Sequence, residues 1–367
     1  MMPYQRWMVM ILLLNAFYSC RHAENETRDR GDREATAIDI VSQHRLKNER
    51  GLEVRIINHG ATITNILFPD RRGDIDDIVL GFDAVDDYLS TSNPFMGCIV
   101  GRYANRIANA RYVLEGDTVQ LTAKNIHSVH GGIEGFDKKT WEVQSCSDST
   151  LVLYYLSVDG EEGFPGNLRT WVTYTLTSSN ELQIDYLAMT DKPTPVNLTN
   201  HTYFNLSGRA ESTILNHQLF INADYFTEVG ETLIPTGSIG NVEGGALDFT
   251  VSKEIGRDIF ALENGYDHNW VLNKTGGRLS LAAIAYDPSS GRGVEVRTTQ
   301  PGLQFYTGNY LSDSLVGKQN IPFHKHAGFC LETQHYPDSP NHSSFPSTIL
   351  YPGDVYYETT VYTFFTK

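Results

Sequence analysis

The chain lacks the sequence patterns that metal, nucleotide and nicotinamide chemistry normally require. It contains no Cys-x-x-Cys pair, no His-Glu-x-x-His segment and no Walker-type or dinucleotide-binding glycine pattern. Cysteine is scarce, with 4 in 367 residues, and Cys98, Cys146 and Cys330 remain if Cys20 leaves with an N-terminal leader. At most one disulfide can then form, which excludes a disulfide-stabilised scaffold. We therefore expect no metal and no cofactor.

Positive charge is also in short supply. The sequence has 29 Lys and Arg residues against 44 Asp and Glu residues, which gives a formal net charge of −15. Nucleic acids and anionic membranes are bound through clustered positive charge. We therefore expect no nucleic-acid partner, and a neutral small molecule fits the composition better.

No apolar run in the sequence is long enough to span a bilayer. The run over 7–17, which follows Arg6, is too short for a membrane span but has the length of the apolar part of a signal peptide. We predict a signal peptide over 1–23, a polar tail over 24–36 and a secreted protein. A flexible tail or a membrane-surface anchor is the alternative interpretation of the same segment.

Long amphipathic helical patterns are absent, and short alternating segments take their place. Apolar and polar residues alternate over 52–57, 61–68, 151–158, 169–177, 182–190, 279–286 and 293–299. Alternation with period two is typical of half-buried antiparallel strands, and turn-forming residues separate these segments. We find no linker and no repeat, so the sequence predicts one large β domain over 37–367.

Five clusters of polar residues interrupt these strands. They lie at 101–107, 128–132, 200–203 and 266–270, with a fifth formed by 300–306 together with 330–334. Imidazoles, a guanidinium, carboxylates and amides without a metal pattern suit proton transfer on a neutral hydroxylated molecule. Arg106 and Asp267 could hold hydroxyl groups, and Tyr203, Phe204 and Trp270 could cover the apolar face of a sugar ring.

Glu332 stands out among the carboxylates. It follows the apolar residues Phe329, Cys330 and Leu331, where an unpaired carboxylate is costly. Desolvation moves the pKa of such a group toward neutrality. Glu332 is therefore a candidate general base.

At these residues the chain resembles the aldose 1-epimerase family, whose members are also called galactose mutarotases. The matching segments occur in the family's order, at 79–82, 101–107, 128–132, 135–138, 159–166, 196–206, 266–269, 299–309 and 328–334. The resemblance implies an all-β fold, one large antiparallel β-sandwich. It also implies that His201 is the general acid and Glu332 the general base, with substrate-binding positions at Asn105, Arg106, His130, Tyr203, Asp267 and Gln304.

The family's reaction, as the resemblance implies, interconverts the α and β anomers of free hexoses such as glucose and galactose. The sugar ring opens and recloses by acid and base catalysis, without metal or cofactor. We expect a monomer or a weak dimer. Family members are commonly cytosolic, so a cytoplasmic location is the alternative to secretion.

Two other functions remain open at this point. The first is a secreted sugar-binding protein of the same fold without turnover, although both His201 and Glu332 are present. The second is a glycoside hydrolase or lyase, for which Asp267 and Glu332 could supply the usual carboxylate pair. An active mutarotase accelerates the loss of optical rotation in fresh α-glucose, whereas a hydrolase or lyase releases reducing ends from oligosaccharides.

Overall fold

Antiparallel strands dominate the structure. A computed structural model describes residues 41–210 and 212–367, so the predicted signal peptide (1–23) and polar tail (24–36) lie outside the described residues. The strands are β1 (Gln43–Lys47), β2 (Glu53–Ile57), β3 (Thr62–Pro69), β4 (Ile75–Asp77), β5 (Ile99–Val100), β6 (Arg106–Ile107), β7 (Arg111–Leu114), β8 (Asp117–Gln120), β9 (Ser128–Val129), β10 (Glu142–Cys146), β11 (Thr150–Ser157), β12 (Leu168–Leu176), β13 (Glu181–Thr190), β14 (Thr194–Pro195), β15 (Thr199–Asn200), β16 (Gln218–Ile221), β17 (Tyr225–Val229), β18 (Pro235–Asn241), β19 (Lys253–Glu254), β20 (Asp267–Val271), β21 (Ser280–Tyr286), β22 (Arg292–Thr298), β23 (Gly302–Tyr306), β24 (Cys330–Gln334), β25 (Ile349–Leu350) and β26 (Tyr356–Thr366).

Helices are few and short in the described part of the chain. One α-helix, α1, covers Val85–Tyr88. Single 3₁₀ turns lie at Ala108–Ala110, Phe136–Lys138, Glu161–Gly163, Ile259–Ala261, Lys318–Asn320 and Ser339–Asn341. None of the helices in 41–210 and 212–367 combines the length and apolar character needed to cross a membrane.

Three larger sheets form the body of the molecule. A nine-stranded sheet has the order β10-β11-β12-β13-β26-β22-β21-β16-β19, a five-stranded sheet the order β18-β17-β20-β23-β24, and a four-stranded sheet the order β1-β2-β3-β4. Neighbouring strands in each of them are antiparallel, and sheet residues from all three contribute to one hydrophobic core. The predicted all-β antiparallel sandwich is confirmed.

The core explains why the alternating segments become strands. In β12 and β13, buried residues alternate with partly exposed ones, as period-two side-chain placement requires when one face of a sheet is covered. Each of the seven segments that the sequence predicts as strands matches an observed strand to within one residue at both ends. The hydrophobic pattern was sufficient to locate these strands, because a strand that buries one face must alternate apolar and polar residues.

Candidate functional site

The five-stranded sheet has one face on the core and a polar face on the opposite side. On β23 and β24, Leu303, Phe305 and Leu331 belong to the core. Gln304 lies between two of these core residues in sequence and pairs directly with Glu332 on the next strand. Because successive side chains of a strand point to opposite faces, Gln304 and Glu332 share the polar face.

The same antiparallel register brings further polar residues into this face. Gln304 pairs with Asn269 of β20 on one side and with Glu332 of β24 on the other. One row across, Tyr306 pairs with both Asp267 and Cys330. Residues far apart in sequence therefore form two adjacent rows, and these rows make the floor of the candidate site. The floor consists of Asp267, Asn269, Gln304, Tyr306, Cys330 and Glu332.

His201 reaches the floor from a different part of the chain. It follows β15, and its backbone N–H donates to the carbonyl of Cys98, 2.9 Å away, while its own carbonyl accepts from the N–H of Gly97 at 3.0 Å. Its Nε2 lies 3.7 Å from Oε1 of Glu332, and the two side chains are only 5% and 3% exposed. The predicted acid and base therefore lie side by side in a buried setting.

The paired strands β6 and β9 and their flanking residues contribute a third part of the site, with Asn105, Arg106 and His130. The backbone N–H of Asn105 donates to Nδ1 of His130 at 3.2 Å, and the backbone N–H of His130 donates to the carbonyl of Asn105 at 2.9 Å. Asn105 and His130 both have positive φ angles, 62° and 52°. Gly131 follows with a φ of 92°, and a Cβ there would lie 1.9 Å from the carbonyl oxygen of Gly101. These contacts hold the His130 ring 5.3 Å from that of His201, measured between ring centroids.

A series of polar contacts joins Asn105 and Arg106 to the floor. Oδ1 of Asn105 accepts from the backbone N–H of Arg106 at 2.9 Å and from its Nη1 at 3.3 Å. Nη2 of Arg106 lies 3.7 Å from Oδ2 of Asp267, and Oδ1 of Asp267 accepts from Nε2 of Gln304 at 2.7 Å. Both carboxylate oxygens of Asp267 are therefore held in place before any ligand arrives.

The aromatic residues are placed differently from the sequence-based expectation. Tyr203 packs beside His201, with ring centroids 5.0 Å apart, but its hydroxyl donates to the carbonyl of Pro94 at 3.0 Å. The prediction that Phe204 and Trp270 cover a sugar ring is wrong, because both are buried in the hydrophobic core. Core packing uses their full apolar area, which the sequence pattern around them did not reveal.

Three residues near His201 were not named as site residues by the sequence reasoning, although two of them, Tyr306 and Cys330, lie in its fifth polar cluster. The ring centroid of Phe95 lies 4.6 Å from that of His130 and 5.8 Å from that of His201. Tyr306 and Cys330 lie on the floor because each is two positions from a predicted site residue on its strand. Period-two spacing from Gln304 and Glu332 was the signal that could have identified these last two residues.

Burial shifts the pKa values of the acid and base candidates in opposite directions. Burial raises the pKa of Glu332 well above its ordinary value, the nearby Asp267 carboxylate adds to this effect, and Arg106 opposes it. Burial lowers the pKa of His201 to about 4. Both shifts favour the neutral form of the side chain, the carboxylic acid of Glu332 and the uncharged imidazole of His201.

His130 is a neutral hydrogen-bond donor in this arrangement. Its pKa is lowered well below the ordinary value by burial first, and then by the neighbouring His201 and Arg106. Since Nδ1 accepts from the backbone of Asn105, a neutral ring carries its proton on Nε2. His130 can therefore donate to an oxygen on which negative charge develops.

Among the described residues, one group of side chains offers candidate ligands for a metal ion. One ligand atom from each of His130, His201 and Glu332 lies within 4.8 Å of the others. Zinc lies about 2.0–2.1 Å from nitrogen ligands and about 2.0–2.2 Å from carboxylate oxygens, so the ligand atoms of one ion lie closer to one another than this upper limit. The expectation that no metal takes part in the reaction remains a prediction.

Fold and site together define a class: an antiparallel β-sandwich with a buried imidazole beside a buried carboxyl, a pair of groups suited to proton transfer. The family model described as aldose 1-epimerase matches residues 42–363. The chain therefore belongs to the aldose 1-epimerase family, and it is an epimerase of the isomerase class.

Individual relatives agree with this assignment. The chain is 45% identical to the galactose mutarotase of Homo sapiens over 316 residues, which cover 85% of this chain and 91% of the relative. It is 38% identical to the aldose 1-epimerase of Escherichia coli K12 over 327 residues, with 87% and 94% coverage. A crystal structure of an aldose epimerase homologue from C. elegans superposes with a TM-score of 0.82 at 31% identity, covering 89% of this chain and 99% of that one.

Proposed function

We propose that this epimerase interconverts the α and β anomers of free hexoses such as glucose and galactose, with Glu332 as the base and His201 as the acid. One observation carries the proposal. Several buried polar atoms on the floor have no hydrogen-bond partner among the described residues, namely Oε2 of Glu332, Oε1 of Gln304 and both amide atoms of Asn269. Buried polar groups are normally satisfied, and the hydroxyl groups of a sugar would satisfy these.

Substrate binding also prepares the pair for its reaction. A sugar hydroxyl that donates to Oε2 of Glu332 stabilises the carboxylate and lowers its pKa. The proton of the Glu332 carboxyl then passes to Nε2 of His201, which lies 3.7 Å from Oε1 of Glu332. The bound state therefore presents a carboxylate and an imidazolium, which are the forms that ring opening needs.

Ring opening then requires two proton transfers. Glu332 takes the proton of the anomeric hydroxyl, the bond between C1 and the ring oxygen breaks as the C1 carbonyl forms, and His201 protonates the ring oxygen through Nε2. Rotation about the C1–C2 bond presents the other carbonyl face. Reclosure reverses both transfers, so the ring reforms as the other anomer and the pair regains its starting protonation.

The remaining predicted site residues bind and orient the sugar in this proposal. Arg106 and Asp267 form charge-assisted hydrogen bonds with hydroxyl groups, and Gln304 fixes Asp267. His130 donates from Nε2 to the developing oxyanion. Asn105 holds Arg106 through its side chain and His130 through its backbone. Tyr203 supports the His201 ring and does not bind the sugar through its hydroxyl, because that hydroxyl donates to the carbonyl of Pro94.

Polarimetry tests the assignment directly. Fresh α-D-glucose and α-D-galactose are followed with wild type, His201→Asn and Glu332→Gln, and the spontaneous rate is subtracted. Loss of the acid or the base should lower kcat by about a thousandfold in each variant. The matched controls His324→Asn and Glu228→Gln change partly or fully exposed residues and should keep wild-type rates.

Two outcomes would contradict the proposal. Near-wild-type mutarotation by either His201→Asn or Glu332→Gln would remove that residue from the mechanism. Release of reducing ends from oligosaccharides, without faster mutarotation, would favour the hydrolase in which Asp267 and Glu332 form a pair. The fixed position of Asp267, held by Gln304 and Arg106, argues for sugar binding instead.

A further inference from the structure

Strand β24 contacts both nitrogens of the His201 ring. Cys330 and Glu332 are two positions apart on this strand, so their side chains point to the same face. Sγ of Cys330 lies 3.5 Å from Nδ1 of His201, and Oε1 of Glu332 lies 3.7 Å from Nε2. The ring is thus placed between a thiol and a carboxyl of one strand.

The proposed reaction requires the two nitrogens to behave differently. Nε2 of His201 must give its proton to the ring oxygen and accept it again on reclosure. Nδ1 must therefore keep its proton throughout, since a neutral ring that carries its proton on Nε2 cannot accept a second one there. Which nitrogen is protonated in a neutral histidine is set by the hydrogen bond made by the other.

We propose that Cys330 is a positioning residue whose sulfur accepts a hydrogen bond from Nδ1–H of His201 and so reserves Nε2 for the catalytic proton. The proposal rests on the function proposed above, because it assigns a role to the partner of the general acid. Glu332 lies at Nε2, where the proposed reaction makes it exchange protons, so it does not serve as the acceptor for Nδ1–H.

A thiol suits this position better than a stronger acceptor would. Sulfur is a weak hydrogen-bond acceptor, so it orients the ring without strongly stabilising the imidazolium. Burial raises the pKa of the Cys330 thiol, and the nearby Glu332 and Cys98 raise it further. The group therefore stays a neutral thiol, whereas a thiolate would hold the proton of His201 too tightly for release.

The other side chains around His201 do not compete with Cys330 as acceptors for Nδ1–H. His130 lies edge-on to the ring, and burial keeps its pKa low, so it adds no positive charge. The hydroxyls of Tyr203 and Tyr306 have pKa values raised by burial and remain neutral. The backbone carbonyl of His201 itself raises the pKa of the ring, in the same direction as an acceptor at Nδ1.

Nitrogen NMR and kinetics of substituted protein test the inference together. In full-length protein labelled with ¹⁵N-histidine, the His201 signals are assigned by their absence in His201→Asn. Neutral His201 in the wild type should carry its proton on Nδ1. Cys330→Ala removes the acceptor, so the proton should shift toward Nε2, and kcat should fall about tenfold while KM stays within about twofold.

Three further variants separate positioning from packing. Cys330→Ser retains an acceptor and should keep both the Nδ1 proton and kcat to within about threefold. Cys330→Val fills the space without an acceptor and should behave like Cys330→Ala, which covers the case in which the smaller side chain disturbs the fold. The control Cys146→Val changes an exposed cysteine and should match wild type in tautomer and rate.

The results also distinguish this inference from the proposed function. If Cys330→Ala and Cys330→Val keep the wild-type tautomer and kcat while His201→Asn is inactive, the role of Cys330 is refuted and the general acid stands. If His201→Asn remains active, the proposed function fails, whatever tautomer the NMR signals show. A Cys330→Ser variant as slow as Cys330→Ala would also overturn the positioning role.

Discussion

Replacing Glu332 with glutamine should stabilise the protein at neutral pH while it abolishes catalysis. The carboxyl is 3% exposed, and its Oε2 has no partner among the described residues. Glutamine keeps the shape of the side chain but cannot ionise. Functional sites often retain groups that cost stability, and Glu332 should be one of them.

The sign and size of the effect follow from the raised pKa. Since the folded state binds the Glu332 proton more tightly than the unfolded state does, its contribution to stability is fully present below the ordinary carboxyl pKa of 4.5 and is lost as pH rises toward the folded value. The loss reaches at most about 1.4 kcal/mol per pH unit. The advantage of Glu332→Gln over wild type should therefore grow with pH across this window.

His201 makes the opposite contribution to the pH dependence of stability, and its effect must be separated from that of Glu332. Its folded pKa of about 4 lies below the ordinary value of 6.5, so its contribution to stability is present above 6.5 and is lost as pH falls toward 4. This slope occurs in wild type and in Glu332→Gln alike. The difference between the two proteins consequently isolates Glu332, most cleanly at about pH 7 and above.

Urea denaturation at several pH values measures this difference. The free energy of unfolding is compared for wild type, Glu332→Gln and the exposed control Glu228→Gln, which should show no pH-dependent difference. If Glu332→Gln is less stable by about 3 to 5 kcal/mol, the carboxyl is instead an ionised partner in a buried ion pair. That result, or a difference that does not change with pH, would refute the reasoning.

Four other predictions concern the site, the reaction and the scaffold. Asp267→Asn should move the acid limb of the pH profile of kcat to lower pH, because Asp267 raises the pKa of Glu332, and Arg106→Gln should move it to higher pH; equal profiles would contradict this electrostatic coupling. Dialysis against EDTA should leave mutarotation unchanged, and a loss restored by Zn²⁺ would show a metal requirement. Arg102→Met should lower the free energy of unfolding by about 3 kcal/mol or more in urea, because the buried guanidinium donates to several carbonyls of 157–166 that would lose their donor; a smaller change would show that water replaces it. N-terminal sequencing of protein recovered from the medium should show cleavage near 19–23, and an intact N-terminus would contradict the predicted signal peptide.

Sequence reasoning succeeded where one physical pattern sufficed. Five strands of the nine-stranded sheet were predictable because each alternating segment can bury only one face, namely β11, β12, β13, β21 and β22. Glu332 was predictable as a special carboxylate because it follows an apolar run. Trp270 was misassigned because a large aromatic residue beside polar ones fits either a core or a ligand face, and only packing distinguishes them.

The sequence by itself determined the fold class, the family and the residue types available for acid and base catalysis, since these depend on local patterns and ordered motifs. Tertiary structure decided which of these residues meet. Antiparallel register aligned Gln304 with Glu332 and Tyr306 with Cys330, and a separate segment brought His201 within 3.7 Å of its partner carboxyl. Such distances, and the burial that shifts both pKa values, arise from contacts between strands far apart in sequence, which no local pattern encodes.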